Sequence, residues 1–167
     1  AILRDDDVLV PTGETVIEAD DDVVAIGSPE SMRAFSTAVA PQADEANDVV
    51  IVGGGEIGYQ VARLLEESGY KPRLFERDED RARWLAENLP NTTVLNGDAT
   101  DQELLERESV GKADVLVSAL DNDQKNLLST LIAKRMGTAR TVAVVNTGEF
   151  TELFEAVGVD VAVSPRE

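Results

Sequence analysis

The sequence predicts an α/β protein: a doubly wound parallel sheet of six strands, preceded by a small α+β fragment. Three observations predict it. From residue 48 onward, short apolar runs alternate with stretches whose apolar residues recur at helical spacing. The first run, Val49-Val50-Ile51-Val52, is continuously apolar, as a strand buried on both faces requires. It leads directly into Gly53-Gly54-Gly55-Glu56-Ile57-Gly58, after which Ile57, Val61, Leu64 and Leu65 fall on one helical face, so the glycines sit where a strand becomes a helix.

Residues 1–40 read differently from the rest. Short strands are expected at 1–3, 8–10, 15–17 and 23–26, separated by acidic turns or by Pro11-Thr12-Gly13. Ser28-Pro29-Glu30 then supplies an N-cap, a proline at the first helical position and an acid in the first turn, opening a helix to about Val39. This piece is too short to bury a core of its own and reads as part of a larger unit or a dimer element. Residues 41–47, with Pro41 just inside and no hydrophobic periodicity, form a linker, and a second unit occupies 48–167.

In that second unit, Ser68-Gly69 stops the first helix and a strand follows at 71–75. Next come a helix at 79–88 with Ala82, Trp84 and Leu85, a strand at 93–95, a short helix from Asp101 and a strand at 114–118. A longer helix at 122–136 turns Leu127, Leu128, Leu131 and Ile132 inward. A strand at 141–145, a helix at 148–156 and a strand at 161–163 complete a Rossmann-type order.

The glycine turn carries the chemistry. Gly53 permits the tight turn, Gly55 lets backbone approach a pyrophosphate, and Gly58 lets the helix pack closely on the strand. The amides of Glu56 and Ile57 lie at the positive end of the helix, where they face phosphates. Glu76 ends the second strand, ~20 residues past the glycines, where a carboxylate accepts hydrogen bonds from a ribose diol. A lone glycine triplet is equally a plain loop, but the strand before it, the helix after it and the distant acid argue for a dinucleotide site. Arg77 would suit a ribose phosphate, yet Glu76 repels one, which favours NAD(H) over NADP(H) and leaves Arg77 to cover the adenine.

Later strand ends face the same crevice. Asp98 and Ala99, within Asn96-Gly97-Asp98-Ala99, are placed to meet the adenine; an Asx turn with Asp101 capping a helix reads equally well there. Ala119 belongs to a small-residue stretch that leaves room under the centre of the cofactor. Asp121, Asn122 and Asp123 read as caps rather than ligands, and Asn126 is within reach of the crevice.

Composition narrows the classes. The 33 acidic and 15 basic residues give a formal charge of −18, which repels nucleic acid. The acids are scattered, which suits a cytoplasm of molar salt, where charges are screened within ~3 Å, and predicts loss of stability at low salt. With no cysteine, disulfides and thiolate metal sites are excluded, and no bilayer-spanning run or signal peptide is legible, so a cytoplasmic location is expected. The sequence also holds no histidine, and neither tyrosine has a lysine four residues on: Tyr59 has Arg63 and Tyr70 has Leu74. No catalytic residue is therefore assigned, and a nucleotide-sensing module is favoured over a small NAD-dependent oxidoreductase or a methyltransferase.

Four stretches together resemble the cytoplasmic regulatory domains of potassium transport, known as RCK or KTN domains, and the Trk-type uptake regulators among them. They are Val50 to Gly58, Leu74-Phe75-Glu76-Arg77-Asp78 with Arg81-Ala82, Asn96 to Asp101, and Asp123-Gln124-Lys125-Asn126-Leu127-Leu128 with Ala133-Lys134-Arg135. Residues 1–40, with Val10-Pro11-Thr12-Gly13-Glu14 and Gly27-Ser28-Pro29-Glu30, resemble the latter half of that family's C-terminal ligand-binding domain. Its position ahead of the nucleotide domain suits a piece excised from a tandem regulator. The resemblance implies a regulatory subunit that binds NAD(H), or ATP or ADP. It also implies a homo-oligomer, dimeric or higher, at the inner face of the plasma membrane on a potassium-transporting partner.

Overall fold

The computed structural model describes residues 1–4, 7–19, 21–39 and 46–165. The chain divides into two units, Ala1–Glu45 and Ala46–Glu167. Residues 41–45 of the expected linker lie outside the described residues; Asn47 is tied to the second unit, its N–H donating to Asp114 Oδ2 at 2.8 Å.

In the first unit, β1 (Ile2–Arg4), β2 (Asp7–Leu9) and β3 (Asp22–Val23) form an antiparallel sheet in the order β2-β1-β3, followed by helix α1 (Pro29–Val39). The Ser31 N–H donates to Ser28 Oγ at 3.2 Å, as the expected cap requires. The expected strand at 15–17 does not form. Val16 and Ile17 are exposed, and the Val16 carbonyl is satisfied by Arg4 Nη2 at 3.0 Å instead of by a neighbouring strand. Arg4 also forks onto Asp21, with Nε and Nη2 each 2.7 Å from a carboxylate oxygen, and so ties β1 to the loop that leads into β3.

The second unit is a six-stranded parallel sheet of β4 (Val49–Val52), β5 (Arg73–Glu76), β6 (Thr93–Asn96), β7 (Val115–Ser118), β8 (Arg140–Val144) and β9 (Val161–Val163). Its spatial order is β6-β5-β4-β7-β8-β9, so the winding reverses between β4 and β7, and a crevice opens beyond their carboxyl ends. Helices α2 (Glu56–Glu67) and α3 (Glu79–Asn88) cover one face, where Ile51, Ala62, Leu74, Leu85 and Leu89 form a core. Helices α4 (Gln102–Arg107) and α5 (Asp123–Met136) cover the other, over Val50, Val52, Phe75, Leu105 and Leu116. Every residue of β4 is buried, because alternate side chains enter the two cores. A last helix, α6 (Thr151–Ala156), follows a 3-10 turn at Gly148–Phe150.

Two helices depart in part from expectation: Leu127 and Ile132 of α5 pack against the cores but Leu128 does not, and α3 buries Ala82 and Leu85 but not Trp84. In α5 the wholly buried residues are Asn126, Ser129, Thr130 and Ala133, whereas Leu128 is 49% exposed. Small and polar side chains let this helix lie close on β7 and β8, and their hydroxyls are satisfied internally: Ser129 Oγ donates to Lys125 O at 2.9 Å and Thr130 Oγ1 to Asn126 O at 2.8 Å. In α3, Trp84 is 40% exposed and packs along the surface, 5.1 Å from the Tyr59 ring and under the Arg81 guanidinium at 4.3 Å.

The Arg4–Asp21 fork makes the first unit acid-sensitive. Hydrogen bonds from Arg4, then from the Glu18 amide, lower the Asp21 pKa to about 2. A folded pKa below the unfolded one contributes stability that is complete above the usual carboxylate range and is lost as pH falls through about 2. Hydrogen exchange followed from pH 5 downward is expected to show the Glu18 amide, a donor to Asp21 Oδ2 at 2.8 Å, losing protection near pH 2, and Asp21→Asn to abolish that step.

Candidate nucleotide-binding site

The glycine turn joins β4 to α2 at the reversal of the sheet. Gly53 has φ +97°, a conformation that side-chain-bearing residues rarely adopt, and a Cβ there would lie 2.8 Å from Ala119 O. Gly58 sits within α2 directly against the turn: a Cβ would lie 1.8 Å from Gly53 O, so this glycine sets how closely helix and strand approach. Gly55 differs from both. A Cβ on it would meet nothing within 4 Å, because its Cα faces the open crevice. The three expected roles thus separate into a left-handed turn, a bare backbone facing the cavity and a close packing contact.

Glu76 fixes the turn. Its Oε2 accepts the Gly54 N–H at 2.8 Å and its Oε1 accepts the Asp78 N–H at 2.7 Å. Arg81 holds the other backbone group of the same residue, with Nε donating to Gly54 O at 2.7 Å. Gly54 has no room for a side chain, since a Cβ would lie 2.2 Å from Leu85 Cδ1 and 2.9 Å from Glu76 Oε2. Each carboxylate oxygen can accept more than one hydrogen bond, so a ribose hydroxyl can still reach Glu76 from the cavity side.

The cavity beyond the turn, of about 240 Å³, is lined by Gly53, Gly55, Glu76, Arg77, Asp98, Ala99 and Ala119. All seven were expected from the sequence. Asp98 serves as both Asx turn and cavity wall: its Oδ1 accepts the Thr100 N–H at 2.9 Å and the Thr100 hydroxyl at 2.7 Å. Those bonds, aided by Arg77 at 3.8 Å, hold its pKa below the usual range.

Three expected residues do not line the cavity with side chains. Glu56 lies along α2, accepting from Gln60 Nε2 at 2.8 Å, and Ile57 is half-buried beside it; neither is part of the lining. Asn126 is wholly buried. Its Nδ2 donates to Leu120 O at 3.0 Å and Val144 O at 2.8 Å, while its Oδ1 accepts from Leu120 N at 2.7 Å and Ser118 Oγ at 2.8 Å. It braces the ends of β7 and β8 rather than reaching the crevice.

The lining also includes residues that the sequence reading did not assign to it: Leu120, Asp121 and Lys125. Asp121 was expected to cap a helix, but the cap of α5 is Asn122, whose side chain accepts the Lys125 N–H at 3.0 Å. Asp123 instead holds the turn after β8, accepting from Asn146 N at 2.7 Å and Thr147 N at 3.1 Å. Burial opposes ionisation of Asp123, but the Asn146 and Thr147 donors outweigh it and lower its pKa. A second cavity, of about 480 Å³, is lined by Asn146, Phe150 and Phe154 among others and shares Asp121 with the first.

Comparison with known proteins places this geometry among relatives. Residues 49–165 match the family model of the TrkA-N domain, and residues 1–39 match that of the TrkA-C domain. The Trk system potassium uptake protein trkA homolog 1 of Methanosarcina mazei is 38% identical over 168 residues, covering 100% of this chain and 41% of that protein. The chain therefore spans about two fifths of that relative's length. The Kef CTD of Shewanella denitrificans in its AMP bound form is 28% identical with a TM-score of 0.59, covering 71% of each chain. The GsuK channel bound to NAD superposes with a TM-score of 0.63 at 20% identity, covering 81% of this chain and 26% of that one, and shares the fold.

Replacing Asn126 with alanine strands buried donors and acceptors at the ends of both β7 and β8. Urea unfolding of Asn126→Ala is expected to show a loss of about 3 kcal/mol, since each unsatisfied buried group costs ~1–3 kcal/mol. A loss under about 0.5 kcal/mol, the usual range for surface substitutions, would contradict the bracing role.

Proposed function

The chain belongs to the TrkA-N domain family, and from that premise we propose that it is a nucleotide-sensing regulatory element of a potassium uptake system. The observation that carries this reading is the bare Gly55 backbone at the start of α2, opening into a cavity that Glu76 also lines. Backbone amides at a helix start recognise phosphate and a strand-end carboxylate recognises a ribose, a pairing that fits adenine nucleotides. NAD(H) is the preferred ligand, because a second cavity that shares Asp121 with the first offers a place for the other half of a dinucleotide. ADP or ATP would fill the first cavity alone.

The name of the Methanosarcina relative supports potassium uptake as the process, and the ligands named for the Kef and GsuK structures support an adenine nucleotide as the signal. The partner is then a potassium-transporting membrane protein, with this chain working as a homo-oligomer at its cytoplasmic face. Among the described residues, no helix is long and apolar enough to cross a membrane. A sensor is preferred to an oxidoreductase because the sequence has neither histidine nor cysteine to exchange a proton near neutrality. Binding regulates transport by differential affinity: a ligand held tenfold more tightly in one arrangement of paired domains shifts the balance by ~1.4 kcal/mol.

Calorimetry in concentrated potassium chloride with NADH, NAD, ADP and ATP tests this function directly. At least one is expected to bind at micromolar concentration to the unaltered chain. Gly55→Ala introduces a methyl group that touches no protein atom within 4 Å, so it is expected to leave the melting temperature unchanged and to weaken binding at least tenfold. Equal binding by the two proteins, or none by the unaltered chain, would reject the assignment.

A further inference from the structure

We propose that Lys125 sets the preference of the cavity for ligands that carry phosphate charge over the bare nucleoside. The inference rests on the nucleotide-binding reading and specifies which side chain meets the ligand's charge. Five ionisable side chains line the cavity: the carboxylates of Glu76, Asp98 and Asp121 and the cations of Arg77 and Lys125. The acids outnumber the cations, on a protein of net charge −18, so the walls oppose an incoming phosphate unless a cation offsets them.

The two cations are not equivalent. Arg77 is engaged with Asp98 at 3.8 Å. Lys125 forms no ion pair among the described residues, and its charge acts on Asp98 only at longer range. Its backbone, by contrast, is firmly placed. The N–H is bound by the Asn122 cap at 3.0 Å, the carbonyl accepts from Ser129 Oγ at 2.9 Å, and the next residue is the buried Asn126. A flexible four-carbon stem with three donors on its ammonium thus springs from a fixed point on the cavity wall. Such a group follows phosphates of differing number and position, where a rigid guanidinium fork would select one geometry.

The test compares ADP with adenosine by calorimetry in concentrated potassium chloride, using the full chain, Lys125→Met and Lys125→Arg. The unaltered chain is expected to bind ADP more tightly than adenosine. Lys125→Met is expected to lose about tenfold in ADP affinity while adenosine affinity stays within about twofold, and Lys125→Arg to recover most of the loss. Adenosine binding reports an intact fold in the same experiment. An unchanged ADP affinity in Lys125→Met, or equal losses for ADP and adenosine, would overturn the role of Lys125 while leaving the nucleotide-binding function standing. Failure of the unaltered chain to bind ADP would overturn the role of Lys125, and failure to bind NADH, NAD and ATP as well would remove both.

Discussion

The second unit depends on one carboxylate that ties two strands to one turn. Glu76, at the end of β5, accepts the amide of Gly54 at the end of β4 and that of Asp78 ahead of α3. Arg81 completes the clamp from the first turn of α3 by donating to the Gly54 carbonyl. With both backbone groups of Gly54 held, the next residue, Gly55, is presented with its backbone bare toward the crevice. The same side chain that fixes the shape of the turn thus also lines the cavity beyond it.

Much of this was legible from residue types alone, because the constraints were local or tied to strand order. A continuously apolar β4 marks a central strand, and a glycine triplet at its end marks a turn that approaches both Ala119 and the start of α2. Alternation of helix and strand then gives the sheet, its topology and the side on which a crevice must open. What the sequence concealed was governed by packing between distant elements. The most deeply buried face of α5 is a seam of Asn126, Ser129, Thr130 and Ala133, which Leu127 and Ile132 flank and Leu128 does not, so the apolar periodicity marked only the edges of that face. Asn126, judged by its place near a strand end, turned out to close the carbonyls of Leu120 and Val144, neither of which is near it in a helical repeat.

In the first unit, the stretch at 15–17 has the branched apolar composition of a strand, but composition cannot supply a partner. Arg4 reaches the Val16 carbonyl and the Asp21 carboxylate, so side-chain bonds satisfy a segment that a ladder otherwise would. The TrkA-C match over residues 1–39 agrees with the resemblance carried by the Pro11-Thr12-Gly13-Glu14 and Gly27-Ser28-Pro29-Glu30 stretches.

The central claim is that the exposed backbone of the glycine turn receives phosphate. Amide nuclear magnetic resonance of the labelled chain, recorded with and without NADH in concentrated potassium chloride, tests it at the residues concerned. The claim predicts that the largest shifts fall on the amides of Gly55, Glu56 and Ile57, the bare turn and the first turn of α2. Shifts confined to α6 and the Gly148–Phe150 turn, with the Gly55 to Ile57 amides unmoved, would contradict it.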